Sequence, residues 1–350
     1  LGSGKTTAIA KACGLLKDKT NVAVITNDQG AQLVDTAFIK SLQIPTREVV
    51  DGCFCCRYDE LDAGINSLSD DEQPEIVFAE TVGSCTDLIA TVVHPLLKSR
   101  PFLEIVVSVF ADASLLHRLM IKQEEIFDPE VEYIFMNQLQ EADLLVVNKI
   151  DLLQQDELAI LNESLSQQYP NKTLLFQNSL DDNSVSHWIS CGQEFQLGEK
   201  RKSLEIDYDT YAEGEAKLGW LDEELEILTP DRTAVSAALS LIDKIHTAIR
   251  HAGYPIGHLK FLVNDGEQKR KISFVALHRK TEDFFSFDSN AGRCIVIVNA
   301  RVQIDPDTLK GLLATAIKEL KQEWNCKVIE RKLLAFKPGY PKPLHRIVHL

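Results

Sequence analysis

Three thiols fall within four residues in the run Gly52-Cys53-Phe54-Cys55-Cys56. Thiolates are ligands for Zn²⁺ and for other soft or borderline cations. In an extended segment Cys53 and Cys55 share one side and Cys56 points the other way. A bend would let all three converge. Three protein thiolates leave a fourth position for water, another side chain or a partner protein, which suits a site that passes metal on. Redox sensing and buried cysteines without a role are the competing readings. The chain has eight cysteines, too few and too clustered for a secreted disulfide framework. Cys85 reads as a buried small hydrophobe, with a ligand role as the alternative. The nine histidines form no metal-spaced tract, and His345 and His349 read as a solvated tail.

The thiols lie between segments built for a nucleoside triphosphate. Leu1-Gly2-Ser3-Gly4-Lys5-Thr6-Thr7 has the composition of a phosphate loop. Backbone N–H groups of Gly2, Ser3 and Gly4 can approach phosphate oxygens, Lys5 can reach the β and γ phosphates, and the Thr6 hydroxyl can ligate Mg²⁺. A helix from about Thr7 would point its positive end at the phosphates. Such a loop follows a strand, so a strand and a first glycine are expected before Leu1. Asn148-Lys149-Ile150-Asp151 follows the apolar run Leu144 to Val147. Asp151 can accept from the two guanine donors that adenine lacks, a discrimination worth roughly 10⁴-fold in a site of this kind. Asn148 can reach the purine edge and Lys149 can lie over the base. In Glu80-Thr81-Val82-Gly83 the carboxylate can hold Mg²⁺ through water, and the Gly83 N–H can meet the γ phosphate. Contacts made only with that phosphate act as a switch on hydrolysis. Asn27-Asp28-Gln29-Gly30 is placed to orient Mg²⁺ or water, with Asp28 the candidate water-activating carboxylate.

The elements that must position these groups are legible in part. Val22 to Ile25, Ile76 to Ala79, Leu103 to Val109 and Leu144 to Val147 are near-continuous apolar runs, as in buried parallel strands. The first half is therefore an α/β P-loop GTPase domain with a parallel sheet, expected over residues 1–195. Residues 196–230 read as an acidic linker, with two strand-like stretches between Ser203 and Leu228. Residues 231–350 read as a smaller α+β domain, ferredoxin-like in pattern: helix Asp231 to Arg250, strands Leu259 to Val263, Ile272 to Leu277 and Cys294 to Val298, helix Pro306 to Gln322, and a strand near Val328 to Leu334. At 350 residues, 45% hydrophobic and 25% charged, the composition is that of an ordinary globular protein. The net charge of −15 argues against non-specific nucleic-acid binding and against an anionic membrane surface. No apolar run approaches the roughly 18–20 residues of a membrane span, and the cytoplasm is the expected location.

Together, Gly2 to Thr7, the Cys53-Phe54-Cys55-Cys56 run, Glu80 to Gly83 and Asn148 to Asp151 resemble the CobW family of metal-chaperone GTPases, relatives of HypB and UreG. The C-x-C-C run is the most diagnostic of these. The resemblance covers the first 190 residues and implies GTP hydrolysis, through Lys5, Asp28 and Glu80 with Mg²⁺, coupled to delivery of a divalent metal to a client protein. The implied metal is zinc, with cobalt in the cobalamin-synthesis branch. The family pattern Asn-Glu-Phe-Gly is here Asn27-Asp28-Gln29-Gly30, Leu-Ala-Asp-Pro is here Ser84-Cys85-Thr86-Asp87, and the histidine-rich metal tract is absent. The departures mark a divergent branch. Rival expectations are a GTPase that activates a cobalamin- or corrinoid-dependent enzyme, and a nucleotide-gated adaptor that hardly hydrolyses GTP. A homodimer is left open.

Overall fold

The computed structural model describes residues 2–28, 34–196, 201–275 and 289–350. Its first half runs α1 (Lys5–Leu16), β1 (Val22–Asn27), α2 (Val34–Ser41), β2 (Thr46–Val49), α3 (Tyr58–Asp71), β3 (Ile76–Glu80), α4 (His94–Ser99), β4 (Ser108–Asp112), α5 (Ala113–Leu116), α6 (Pro129–Glu141), β5 (Leu144–Asn148), α7 (Gln155–Gln168), β6 (Thr173–Gln177) and α8 (Asp182–Gln193). The strands form two parallel three-stranded sheets, β2-β1-β3 and β4-β5-β6. One apolar cluster under α1 joins them, with Ala8, Ala12 and Leu16 packed on Val24, Phe110 and Val146. Asn27, Glu80, Asp112 and Asn148 are each the last residue of their strand. The polar side chains thus gather at the carboxyl edges, where open α/β sheets bind ligands.

The second half runs α9 (Tyr208–Lys217), β7 (Gly219–Leu228), α10 (Ala234–His251), β8 (Ile256–Asn264), β9 (Lys269–Phe274), β10 (Arg293–Val302), α11 (Pro306–Glu323) and β11 (Lys327–Phe336). The antiparallel order β11-β7-β10-β8 is the ferredoxin-like order expected, with β9 added at the edge. Strand alternation divides the sheet's two faces. Leu221, Leu225, Leu259, Phe261, Val298 and Ala300 face α10 and α11. The opposite face carries two rows across the strands, Asp222–Asn299–Lys260 and Trp220–Arg301–His258. These residues are buried, apart from partly covered Lys260, and they meet the first half of the chain.

Three expectations shift. The strand read from Leu103 to Val109 begins only at Ser108. Before it, Arg201 donates to the Ile105 carbonyl and the Val107 N–H donates to Asp143 at 2.7 Å, so side chains take the backbone groups a strand would pair. Of the two strand-like stretches read between Ser203 and Leu228 only β7 forms; Tyr208–Lys217 is α9, capped by Asp207, which accepts from the N–H of Thr210 and of Asp209. The helix read from Asp231 starts at Ala234. Gln29 and Gly30, Leu1, and the end of the strand read to Leu277 lie outside the described residues.

Candidate functional site

The Gly2–Thr7 loop is tied to the Asn148–Lys149 end of β5 by side chain–backbone bonds. Gly4 caps α1 with φ 90°, and a Cβ there would stand 2.5 Å from Asn148 Nδ2. Only glycine fits both demands. Asn148, expected at the purine edge, is engaged at both ends of its amide. Nδ2 donates to the Ser3 carbonyl at 2.7 Å, and Oδ1 accepts from the N–H and hydroxyl of Ser179 at 3.0 and 2.8 Å. Lys149, in the left-handed region at φ 62°, donates to the Gly2 carbonyl at 2.7 Å and pairs with Asp112 at 2.8 Å. Asp151 lies exposed in the short turn that follows. Ser179 and Asp112 were missed in the sequence. The available signal was a polar residue at or just past a strand's carboxyl end.

Lys5, Thr6 and Glu80 come together at the start of α1, with Thr7 in the same turn. Thr6 Oγ1 donates to Glu80 Oε1 at 2.7 Å, while the buried Glu80 Oε2 and Ser3 Oγ have no partner among the described residues. A hard cation takes oxygen ligands and tolerates few protein ones. The Thr6 hydroxyl and the orphaned Glu80 oxygen fit Mg²⁺, which would supply charge neutralisation to bound phosphates. Burial pulls the Lys5 ammonium below its ordinary range and lifts the Glu80 carboxyl above its own, each partly opposed by the other. Gln138 donates to the carbonyls of Gly83 and Cys85 at 3.0 and 2.8 Å and so fixes the turn after Glu80.

The end of β1 splits between two tasks. Asn27 Nδ2 donates to the carbonyls of Val49 and Gly52 at 3.1 and 2.7 Å, and its Oδ1 accepts from the Phe54 N–H at 2.9 Å. It therefore grips both sides of Cys53. The next residue, Asp28, accepts from Arg301 Nη2 at 2.8 Å. Arg301 is fully buried, pairs with Asp222 at 2.8 Å, and stacks 3.9 Å from the Trp220 ring.

The thiol run makes the bend that convergence requires. The N–H groups of Cys56 and Arg57 both donate to the Cys53 carbonyl, at 3.0 and 2.9 Å. The sulfurs of Cys53, Cys55 and Cys56 all lie within 4.8 Å of one another. Cys55 and Cys56 sulfurs are 3.7 Å apart, the edge of a tetrahedron with metal–sulfur bonds of about 2.3 Å. Cys53 and Cys55 stand closer, at 2.6 Å. Hydrogen bonds from Cys55, Cys56 and Cys85 hold the Cys53 thiol far below its usual range, and the same contacts push Cys55 up. Cys56 is pushed up to about 11, chiefly by Cys53. One thiolate in a group of thiols suits capture of a cation with release of the remaining protons. Cys85 is buried in the same apolar cluster as Cys53 and Cys55, the position expected of a small hydrophobe.

Trp220 and Leu218 share an apolar cluster with Phe54, Tyr58, Cys53 and Cys55. The C-terminal sheet thus touches the thiol turn through Trp220 and Asp28 through Arg301. The chain's last residues also reach the thiol turn, while His345 and His349, read as a solvated tail, are exposed. Leu344 N–H donates to the Cys55 carbonyl at 2.9 Å, Lys342 N–H to Cys56 Sγ at 3.3 Å, and the His345 ring meets Tyr58 edge-on at 4.9 Å.

The profile described as the CobW/HypB/UreG nucleotide-binding domain matches residues 1–176, half of the chain. The chain belongs to the CobW/HypB/UreG family. Among curated relatives it is 22% identical over 318 residues to a protein named zinc chaperone CobW from Sinorhizobium sp., covering 83% of this chain and 87% of that one. Among solved structures, HypB from Helicobacter pylori in complex with nickel is 17% identical and covers 57% of this chain and 86% of its own, with a TM-score of 0.40. The hydrogenase maturation factor HypB from Archaeoglobus fulgidus is 16% identical, covers 54% and 82%, and has a TM-score of 0.37. Within this family the described residues contain no helix long and apolar enough to cross a membrane.

Proposed function

We propose that this chain is a GTP-hydrolysing metallochaperone. Gly2 to Thr7 hold the phosphates, Thr6 and Glu80 hold Mg²⁺, and Asp151 selects guanine. Asp28 at the end of β1 positions the attacking water in the triphosphate state, and Gly83 meets the γ phosphate. Cys53, Cys55 and Cys56 take a divalent metal, zinc, as cargo for a client protein. Cys85 completes the ligand set when no client does. The sequence kinship with a zinc chaperone supports the choice of metal.

The observation that carries this reading is the Asn27–Asp28 pair. Asn27 grips the thiol turn by bonds to Gly52 and Phe54, and its chain neighbour Asp28, held by Arg301, is the residue assigned to the attacking water. A rearrangement at Asp28 cannot leave Asn27 untouched, so nucleotide state and metal geometry share one lever. The test is a zinc titration of the full chain and of Cys55→Ser. The reading expects one tight zinc in the parent, its loss in the variant, and GTP binding retained in both. Tight zinc in Cys55→Ser would move the metal site elsewhere.

A further inference from the structure

Two lysines of the C-terminal sheet lie within electrostatic range of Lys5 of the phosphate loop, and the fold explains how they arrive there. In the β8–β9 pair, Lys260 lies opposite Ser273 and Lys271 opposite Leu262. Leu259, Phe261, Ile272 and Phe274 turn to the helix-covered core, so Lys260 and Lys271 leave the sheet on the other face. That face meets Asp35 in the first turn of α2, at 2.5 Å from Lys260 and 2.6 Å from Lys271. The same face holds the neighbouring Val34, whose N–H donates to Asn299 Oδ1 at 2.7 Å, and Arg301 holds Asp28. The ends of the same two strands reach the phosphate loop itself. A Cβ on Gly2 would stand 1.9 Å from Val275 Cγ1 and 3.1 Å from the Gly257 carbonyl.

Charge counting shows that Asp35 does not account for the pair. The lysine side chains are only 15% and 11% exposed, and one carboxylate neutralises one of them. Lys5 and Glu80 lie within electrostatic range of both. The fold therefore gathers three ammonium groups, Lys5, Lys260 and Lys271, with Asp35, Glu80 and, through Lys260, Asp28 as their carboxylates. Ammonium groups gathered beside a loop shaped for a nucleotide phosphate are placed to exchange their carboxylate partners for that anion.

We propose that Lys260 and Lys271 are charge-neutralising cations of nucleotide hydrolysis, supplied in cis by the C-terminal sheet to the γ phosphate. The proposal rests on the nucleotide reading given above. In the step served, a water oxygen bonds to the γ phosphorus as the bond to the β,γ-bridging oxygen breaks. The bridging oxygen leaves on GDP with the electron pair. Inorganic phosphate keeps one water proton and the other passes to solvent. Negative charge shifts onto the bridging and equatorial oxygens during that step, and cations placed there lower its barrier. A GTPase with these cations on its own chain needs no partner to provide them.

The experiment compares the full chain with Lys260→Ala and Lys271→Ala for GDP affinity, affinity for a non-hydrolysable GTP analogue, and GTP turnover. GDP affinity is expected within about threefold of the parent, the analogue's affinity at least about tenfold weaker, and turnover lower by on the order of 10²-fold. Lys260→Arg, which keeps the charge and the Asp35 pair, is expected to retain turnover within about tenfold. Unchanged turnover and analogue affinity in both alanine variants would overturn the proposal. So would equal losses for GDP and the analogue, or an arginine variant as inactive as the alanine one, since each points to a structural role alone. A parent chain that binds neither GDP nor the analogue would instead remove the nucleotide reading itself, and the lysine roles with it.

Discussion

Arg301→Met removes one guanidinium from the point where the two halves of the chain meet. Methionine keeps an apolar stem against Trp220 and deletes the charge. In the parent, Arg301 donates to Asp222 and to Asp28, each at 2.8 Å, and to the Ala300 carbonyl at 2.9 Å. The variant leaves Asp222, with a side chain only 4% exposed, facing Asp28 with no cation between them. Breaking a buried pair by removing one partner costs about 3–5 kcal/mol. At about 2–4 °C per kcal/mol for a chain of 150–250 residues, an approximation for this larger one, the melting temperature should fall by roughly 6–20 °C. The loss has a pH signature. Burial already raises the Asp222 carboxyl, and Arg301 is the main group opposing that rise. Without Arg301 the folded-state value climbs further above the unfolded one. The protonated form then supports the fold at low pH, and that support is lost as pH rises through the folded value. Calorimetric unfolding at pH 5 and pH 8 reads both effects. A drop below about 2 °C at pH 8, or a larger drop at pH 5 than at pH 8, would show that Arg301 does not hold the Asp222–Asp28 pair.

Glu223 projects into the helix-covered core, and neither carboxylate oxygen has a hydrogen-bond partner among the described residues. Burial, then Glu330, pushes it up to about 8 against the pull of Lys310. Its contribution to stability is fully present below the unfolded value and is lost as pH rises through about 8. Glu223→Leu should raise the melting temperature at pH 8 and flatten its decline from pH 5, and an unchanged decline would contradict this. Gly214 lies in α9, where a Cβ would stand 2.3 Å from the Glu130 carbonyl oxygen. Alanine gains about 1 kcal/mol of helix propensity, but overpacking against backbone costs about 1–3 kcal/mol. Gly214→Ala should therefore lower the melting temperature, and a rise would show that α6 and α9 can move apart freely.

The strands β1 and β5 were legible because strands buried on both faces read as continuous apolar runs, and β3 reads the same way although Val77 and Ala79 are exposed. The Cys53–Cys56 run and the Asn148–Asp151 run were legible because residue type and spacing carry their chemistry. The C-terminal face was not. Lys260, Lys271, Asn299 and Arg301 alternate with core residues along their strands, the pattern of an outward-facing, solvated side. Here that side is covered by the segment around Asp28 and Asp35. Alternation tells which residues share a face and says nothing of what lies against it. Asn27 was read as an Mg²⁺ or water ligand because it follows a strand. Its grip on Gly52 and Phe54 depends on contacts more than 20 residues away. The α9 helix was misread because its tyrosines and alternating acids imitate a strand, while the Asp207 cap decides for a helix.

In the proposed function, nucleotide state sets the affinity of the Cys53–Cys55–Cys56 site. The most direct measurement is zinc affinity of the full chain in the GDP state and with a non-hydrolysable GTP analogue, under one buffer and salt. The shared Asn27–Asp28 lever predicts at least a tenfold difference, about 1.4 kcal/mol of coupling, and zinc must shift the analogue-over-GDP preference by the same factor. Equal zinc affinities in the two states would contradict it.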